Sequence, residues 1–528
     1  MRDFQMPGRS PARATTGMAA TSHPLATLAA VEMLRDGGNA MDAAVCAAAV
    51  QAVVEPQSTG IGGDVFALFC SEGREPVCAF NGSGRAPAAV DIDWYRGQGY
   101  TTMPGYGPHS VSVPGAVDAW CRLLADHGRI GLAAALAPAI RYAEEGYVVQ
   151  DRVAFDWALA AARLAEDEVS AEVFLPGGKA PEAGDLHRQP ALGHSLRLIA
   201  ERGRDGFYKG EVAEDMVARL QALGGHHTLA DFAATAGDYC APISVDYRGY
   251  RIHQMPPNTQ GLTALLMLNI LSGFDLGRLD PLGAERLHLE IEAGRLAYRE
   301  RDERIADWEA CKDSVPALLS PGHAARLCAE IDPDRAMTEL PPVALSMSDT
   351  VYISVVDEAR NAVSFINSTY SSFGSGITCP NSGVVLQNRA SSFRLDPAHP
   401  NALAPGKRPM HTIMPGMVTR DGRAVMPFGV MGGDYQPFGH VHLLTNMFDF
   451  GMDPQAALDV PRVFYQDDSL LAERGVPEHA LAALRSRGHE VAVPTKPHGG
   501  GQAIWIDWDR GSLTGGSDCR KDGCATGY

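Results

Sequence analysis

The sequence predicts an α/β protein, helical through most of its first part and built of short strands in its last third. Three observations carry this expectation. Alanine-rich segments of helical character recur through residues 115–235. After residue 350 the pattern becomes short alternating strands, at 351–357, 362–368, 383–387, 411–418 and 424–431. Between the two regimes, the charged stretch 308–349 carries Pro316, Pro321, Pro333, Pro341 and Pro342, which predicts a loop-rich approach to the strand region.

Residues 23–36 form an amphipathic helical pattern that Gly37-Gly38 stops. Ala40–Val54 is a second, alanine-rich helical run that ends before Glu55-Pro56. A strand at Val65–Phe69, a turn at Ser71–Arg74 and a strand at Val77–Phe80 follow. Helical segments at 132–145, 153–166 and 194–202 predict a peripheral helical layer. A strand-like piece at Ile243–Ile252 leads to the Pro256-Pro257 loop, a helix from Leu262 and another helix over 284–300. The chain shows no internal repeat and no low-complexity tract.

A chain of 528 residues can bury a large core, and length alone suggests two or more domains. A hydrophobic content of 45% with 20% charged residues is that of a soluble globular protein. The net charge of −18 argues against nucleic acid and anionic membranes, both of which attract basic patches. The start, MRDFQMPGRSPARATTGMAATSHP, lacks an apolar signal core. No stretch reaches the length of a membrane span; the longest apolar run, around Ala43–Val54, is broken by Gln51. Of the ten cysteines, Cys46, Cys70 and Cys121 sit in apolar runs and are read as buried thiols. Cys519 and Cys524 are close in sequence but lack a second pair to build a zinc site. These features predict a reduced, cytoplasmic protein.

The stretch SMSDTVYISVVDEARNAVSFINSTYSSFGSGI, Ser346–Ile377, is the most informative one. Thr350 opens an alternating strand, a turn follows at Glu358–Asn361, and a second strand leads into a small polar loop. Inside a chain a threonine is a poor nucleophile, because no neighbouring base is guaranteed. At a chain terminus its own α-amino group can take the hydroxyl proton. Cleavage of the Asp349-Thr350 bond would therefore deliver nucleophile and base on one residue. The residue pattern alone also fits an ordinary hairpin, since threonine is common at strand starts.

The rest of the chain separates these readings. The blocks GGNAMDAAVCAAAVQAVVEPQSTGIGGDVFAL (37–68), VPGAVDAW (113–120), MPPNTQGLTALLMLNIL (255–271) and EAGRLAYRERDERIAD (292–307) resemble the γ-glutamyltranspeptidase family of N-terminal-nucleophile hydrolases. So do KRPMHTIMP (407–415), MGGD (431–434) and the ending GGSDCRKDGCATGY (515–528), all in the family's order. The resemblance implies a four-layer αββα sandwich with a peripheral helical layer. It implies a precursor that cuts itself into a large chain, 1–349, and a small chain, 350–528, which stay together as one intertwined body. It implies no cofactor and no metal. Whether such units pair further is left open.

The resemblance also assigns roles. Thr350 attacks the Asp349 carbonyl during maturation and the substrate afterwards. Ser368 is the second hydroxyl beside the nucleophile, with Thr369 one register step away. Gly432-Gly433 offers backbone N–H groups to the oxyanion, because a backbone without side chains can approach the tetrahedral intermediate closely. Arg85, in NGSGRAPAA, grips a substrate carboxylate with its two-pronged guanidinium. Taken alone, a Gly-Gly after a strand is usually a turn, and a single arginine is usually solvated or ion-paired.

This chain departs from the transpeptidase pattern where that family holds a glutamyl ammonium. Tyr370, Arg389 and Ser392 stand at those positions, so no acid meets an ammonium. The family's paired serines correspond to His411 and Thr412. The segment between Phe393 and Lys407 is short, which predicts that the lid loop of some relatives is absent. The expected pocket has gained positive character and suits a small anionic amide. Among family members, those with NGSGRAP and MGGDYQP blocks resemble oxamate amidohydrolases; cephalosporin acylases are also similar. The alternative is a γ-glutamyltransferase or glutathione hydrolase. A processed but inactive binding protein is a third reading, opposed by intact Thr350, Arg85 and Gly432-Gly433. GIGGD (60–64) falls short of a dinucleotide fingerprint, and His226-His227 in a polar loop is solvated more often than ligating.

Overall fold

The computed structural model describes residues 8–338 and 350–528. Two seven-stranded sheets form its centre, and every pairing within them is antiparallel. In one sheet Val351–Val356 lies between Met18–Ala20 and Ala362–Ser368, and the sheet continues through Asp64–Cys70 and Cys78–Gly82. In the other, Gly500–Asp507, Arg423–Met431, Gly416–Arg420 and Tyr250–Gln254 are successive neighbours. Both sheets thus take strands from either side of residue 350.

Strand alternation separates the layers. Along Asp64–Cys70, Phe66, Leu68 and Cys70 join Tyr352, Ile366, Met417 and Ile504 in an apolar core between the sheets. Val65, Ala67 and Phe69 point the other way, onto the helices Pro24–Arg35 and Ala40–Val54. The second sheet is covered by Gly261–Leu271, Ala284–Arg304 and Gln436–Phe448 through Leu265, Leu296, Val441 and their neighbours. The order helices, sheet, sheet, helices is the expected αββα sandwich. Helices at Leu132–Glu145, Asp151–Leu164 and Pro190–Arg202 form the outer layer.

Ala40–Val54 shows why small residues are needed there. All 15 of its residues are buried, so a helix of alanines lets sheet and outer helices close on it from every side. Asn39 caps it by accepting from Met41 N and Asp42 N, and Asp42 returns a bond from Asn39 N at 2.9 Å.

Several sequence expectations need correction. The stretch 243–252 is a hairpin, Ile243–Tyr247 and Tyr250–Gln254, turned at Arg248 (φ +49°) and Gly249 (φ +82°). Two successive left-handed residues make the tight turn that matches strand twist. Residues 383–387 form no strand, only a bridge between Thr378 and Val385. The strand expected at 411–418 is Gly416–Arg420. The described part of 308–349 is more helical than expected and includes Pro321–Glu330, where Pro321 sits in the first turn and Ser320 accepts from His323 N. Strands Gly500–Asp507 and Ser512–Ser517 escape the β-branched pattern because glycine is required by packing. A Cβ on Gly501 would meet Leu458 at 2.5 Å, and one on Gly516 would meet the Pro454 backbone at 2.8 Å.

Candidate active site

Strand register builds the first pair. Val351 pairs with Asn367, which sets Thr350 opposite Ser368 on the neighbouring strand. Their hydroxyls are 3.1 Å apart, and both residues are fully buried. Ser368 Oγ also accepts from Tyr370 N at 2.9 Å. The structure therefore brings Ser368 to Thr350, and not Thr369. Gly63 makes room: a Cβ there would lie 2.3 Å from the Ser368 carbonyl oxygen. Asp349 lies outside the described residues.

Tyr370 and Arg389 form the next contact. Tyr370 adopts φ +80°, a conformation a non-glycine residue holds only under constraint from its surroundings. The Arg389 guanidinium sits 3.8 Å from the centre of the Tyr370 ring. Arg389 Nη1 donates to Thr412 Oγ1 at 2.9 Å, whereas its Nε and Nη2, also buried, have no hydrogen-bond partner among the described residues. Burial pushes its pKa down to about 10, opposed by Tyr370, Asp64 and Asp434, so the group is cationic at neutral pH. A buried guanidinium with two unused donors has the chemistry to donate to an anion.

His411 does something else. Its Nε2 bonds Asp64 Oδ2 at 3.0 Å, and its ring meets Phe66 edge-on at 4.8 Å. Burial and then the Arg389 charge drive its pKa down to about 3, against the pull of Asp64. Of these two residues Arg389 carries the positive charge and His411 is neutral. Asp64, which the sequence reading passed over at the end of GIGGD, is the hub here. Its Oδ1 accepts from Gly84 N, Gly115 N and Gln387 Nε2 at 2.9–3.0 Å. Ser392 is directed at backbone, donating to Met410 O or Arg389 O, and so helps fix the Arg389 turn.

Gly432 and Gly433 take φ +119° and +59°. A Cβ on Gly432 would meet Gly499 Cα at 2.7 Å, so only glycine fits. A buried polar frame holds this turn. Gln260 Nε2 donates to both Thr412 O and Gly433 O, at 2.7 and 3.0 Å. Arg301 donates to Gln260 Oε1 and pairs with Asp434, and the Tyr298 hydroxyl bonds the Asp434 carbonyl. Burial disfavours the Arg301 charge, but Asp302 and Asp434 more than offset it and raise its pKa. Sequence reasoning missed Gln260, Arg301 and Asp434. The clue was a run of charged residues in a helix, Ala284–Arg304, whose residues are mostly buried.

Arg85 is placed differently from expectation. Its side chain is 40% exposed, donates to Gly406 O and Asp238, and lies 3.9 Å from Asp307. Two carboxylates and solvent already satisfy it, so in this structure it is an ion-pair partner. Its contacts include none of Thr350, Tyr370, Arg389 or Thr412.

These residues sit in a chain of recognisable descent. Residues 26–528 match the γ-glutamyltranspeptidase family model. The chain is 39% identical over 522 residues to the glutathione hydrolase-like YwrD proenzyme of Bacillus subtilis, covering 97% of this chain and 98% of that one. It is 36% identical over 529 residues to the oxamate amidohydrolase proenzyme of Klebsiella pneumoniae, covering 97% and 99%. The crystal structure of cephalosporin acylase from Bacillus halodurans superposes with a TM-score of 0.93 at 41% identity, covering 100% and 99%. The chain belongs to the γ-glutamyltranspeptidase family and is an amidohydrolase of the N-terminal-nucleophile fold.

Proposed function

We propose that the chain is a cytoplasmic, self-processing amidohydrolase that cuts its own Asp349-Thr350 bond and then hydrolyses a small, oxamate-like amide whose acyl half carries a carboxylate. The freed α-amino group of Thr350 takes the hydroxyl proton, and Oγ attacks the amide carbon. The N–H groups of Gly432 and Gly433 receive the oxyanion. The amine leaves with the proton, and water opens the Thr350 ester. Because both sheets interleave strands from the two segments, the large and small chains remain associated.

One observation supports the acyl half: Arg389, buried beside Tyr370 and Thr412, has two donors without partners among the described residues. Among the described residues no carboxylate there is placed for an ammonium, since Asp64 is taken up by four donors and Asp434 by Arg301. Burying an ammonium beside Arg389 without a partner is costly. The name of one relative, the oxamate amidohydrolase proenzyme, fits an amide without that ammonium.

The test is a comparison of kcat/KM for oxamate and γ-glutamyl-p-nitroanilide on processed protein. The expected order is oxamate first, and the reverse order would establish the γ-glutamyltransferase reading instead. The pH profile offers a second check. With the Thr350 amine as base, kcat/KM rises with pH through roughly 7.7–8.0, the ordinary range of an α-amino group. His411, neutral down to about pH 3, adds no limb between pH 5 and 8. A limb in that window that disappears in His411→Gln would contradict this assignment.

A further inference from the structure

The helix Ala284–Arg304 carries His288 and Glu292 four residues apart, so both side chains lie on one face, a turn from each other. His489 reaches that face from the other side of residue 350. It follows the helix Glu478–Ser486, which ends in a glycine-stopped turn: Gly488 takes φ +97° and bonds Arg485 O, and His489 N bonds Leu484 O. The three side chains belong to residues at most 5% exposed, and one ligand atom from each lies within 4.8 Å of the others. Among the described residues this is the one group of three histidine, cysteine or carboxylate side chains so placed.

The hydrogen bonds assign the ring protons. His288 Nε2 faces the Asp332 carbonyl at 2.8 Å and so donates to it, which leaves the lone pair on Nδ1. A ring whose outer N–H is fixed on a carbonyl and whose other nitrogen is bare is oriented as a metal-ligating histidine is. His489 Nε2 lies 2.8 Å from that lone pair and donates to it. This leaves His489 Nδ1 with no hydrogen-bond partner among the described residues, although the residue is buried. The pair is therefore not closed as a hydrogen-bond network. Moving the His489 proton from Nε2 to Nδ1 turns two lone pairs towards each other, an arrangement that a cation between them stabilises. Nitrogens on a tetrahedral zinc ion lie about 3.3 Å apart, so the rings need to part by only about half an ångström. Glu292 accepts from Arg295 Nη1 at 2.8 Å and from Met337 N at 2.9 Å, and each of its oxygens keeps a second acceptor position.

Burial, followed by His288, Arg295 and Arg487, lowers the His489 pKa to about 3, so at neutral pH the ring is neutral, as a ligand must be. The same two arginines oppose a dication, and Glu292 shares its charge with Arg295. Binding thus rests on the two nitrogens, which suit Zn²⁺ and its neighbours and not the oxygen-seeking Mg²⁺ and Ca²⁺.

We propose that His288, Glu292 and His489 form a structural site for one divalent transition-metal ion of the zinc class. The ion takes no part in amide hydrolysis. It ties the long helix to the segment after residue 350, and it stiffens residues 332–337, which His288, Glu292 and the Arg487 carbonyl already hold. That this tie joins two separate chains rests on the proposed cut at Asp349-Thr350; the ion site itself does not.

The test uses tag-free protein stripped with a chelator and titrated with Zn²⁺ or Co²⁺. The expected uptake is one equivalent per precursor, with a visible d–d band for Co²⁺ and a Tm raised by at least about 3 °C with Zn²⁺. Equal concentrations of Mg²⁺ or Ca²⁺ leave Tm unchanged. His489→Gln weakens Zn²⁺ binding by at least about a hundredfold and Glu292→Gln by at least about tenfold, while the exposed His479→Gln leaves it unchanged. The wild-type stoichiometry and Co²⁺ band decide the matter even where a variant fails to fold. Absent uptake in the wild type, or uptake that survives both substitutions, would overturn the site. An ion-free protein that is correctly cut would overturn the site alone, and an ion-loaded active protein that remains uncut would overturn the proposed maturation alone.

Discussion

Thr350→Ala stays a single uncut chain and loses amide hydrolysis by on the order of a thousandfold or more, the scale on which enzymes lose activity when a nucleophile is removed. The effect is large because one residue supplies both groups. The hydroxyl is the attacking atom in self-cleavage and in turnover, and the amine that activates it exists only after the cut. Nothing within the strand pair replaces it: Ser368, 3.1 Å away, lies mid-chain and has no terminal amine of its own. Thr350→Ser, which keeps hydroxyl and amine, still cuts itself. A denaturing gel and a kcat/KM measurement on both variants check this pair of outcomes. Full activity in uncut Thr350→Ala would remove Thr350 from the chemistry.

The second large effect is expected at Arg389. Arg389→Lys keeps a positive charge but loses the planar fork, the stacking on Tyr370 and one or more of three donors in a buried site. Charge-assisted hydrogen bonds contribute about 1.5–3 kcal/mol, so kcat/KM for oxamate should fall by about one to two orders of magnitude. Arg85→Lys serves as the comparison. Its guanidinium already pairs with Asp238 at an exposed position, so the same exchange there should change kcat/KM by less than about threefold. A larger loss at Arg85 than at Arg389 would return the carboxylate to the arginine that the sequence pattern pointed to.

The contacts of these two arginines show what a sequence leaves out. The strands flanking the turn at 358–361 were legible because alternation and turn chemistry are local. The long helices were legible from their apolar spacing. Ser368 was legible to within one residue, and the antiparallel register of Val351 with Asn367 removed the ambiguity. The surroundings of Arg85 were not legible, because whether an arginine meets a ligand or an acid depends on residues far along the chain, here Asp238 and Asp307. The charge of His411 was not legible. Its neutrality comes from complete burial and from Arg389, neither of which spacing reveals. Asp64, Gln260 and Arg301 were missed for the same reason. Each acts by tying together backbone from distant segments, and a sequence shows only the residue type. The glycine-rich strands at 500–507 and 512–517 were hidden because close packing against Leu458 and Pro454, not side-chain patterning, selects their residues.

N-terminal sequencing of the smaller chain in an active preparation tests the central claim most directly. The account predicts two chains, about two-thirds and one-third of the precursor, with the smaller beginning Thr-Val-Tyr-Ile at Thr350. An active wild-type protein that runs as one uncut chain, or whose smaller chain begins at any other residue, would contradict it.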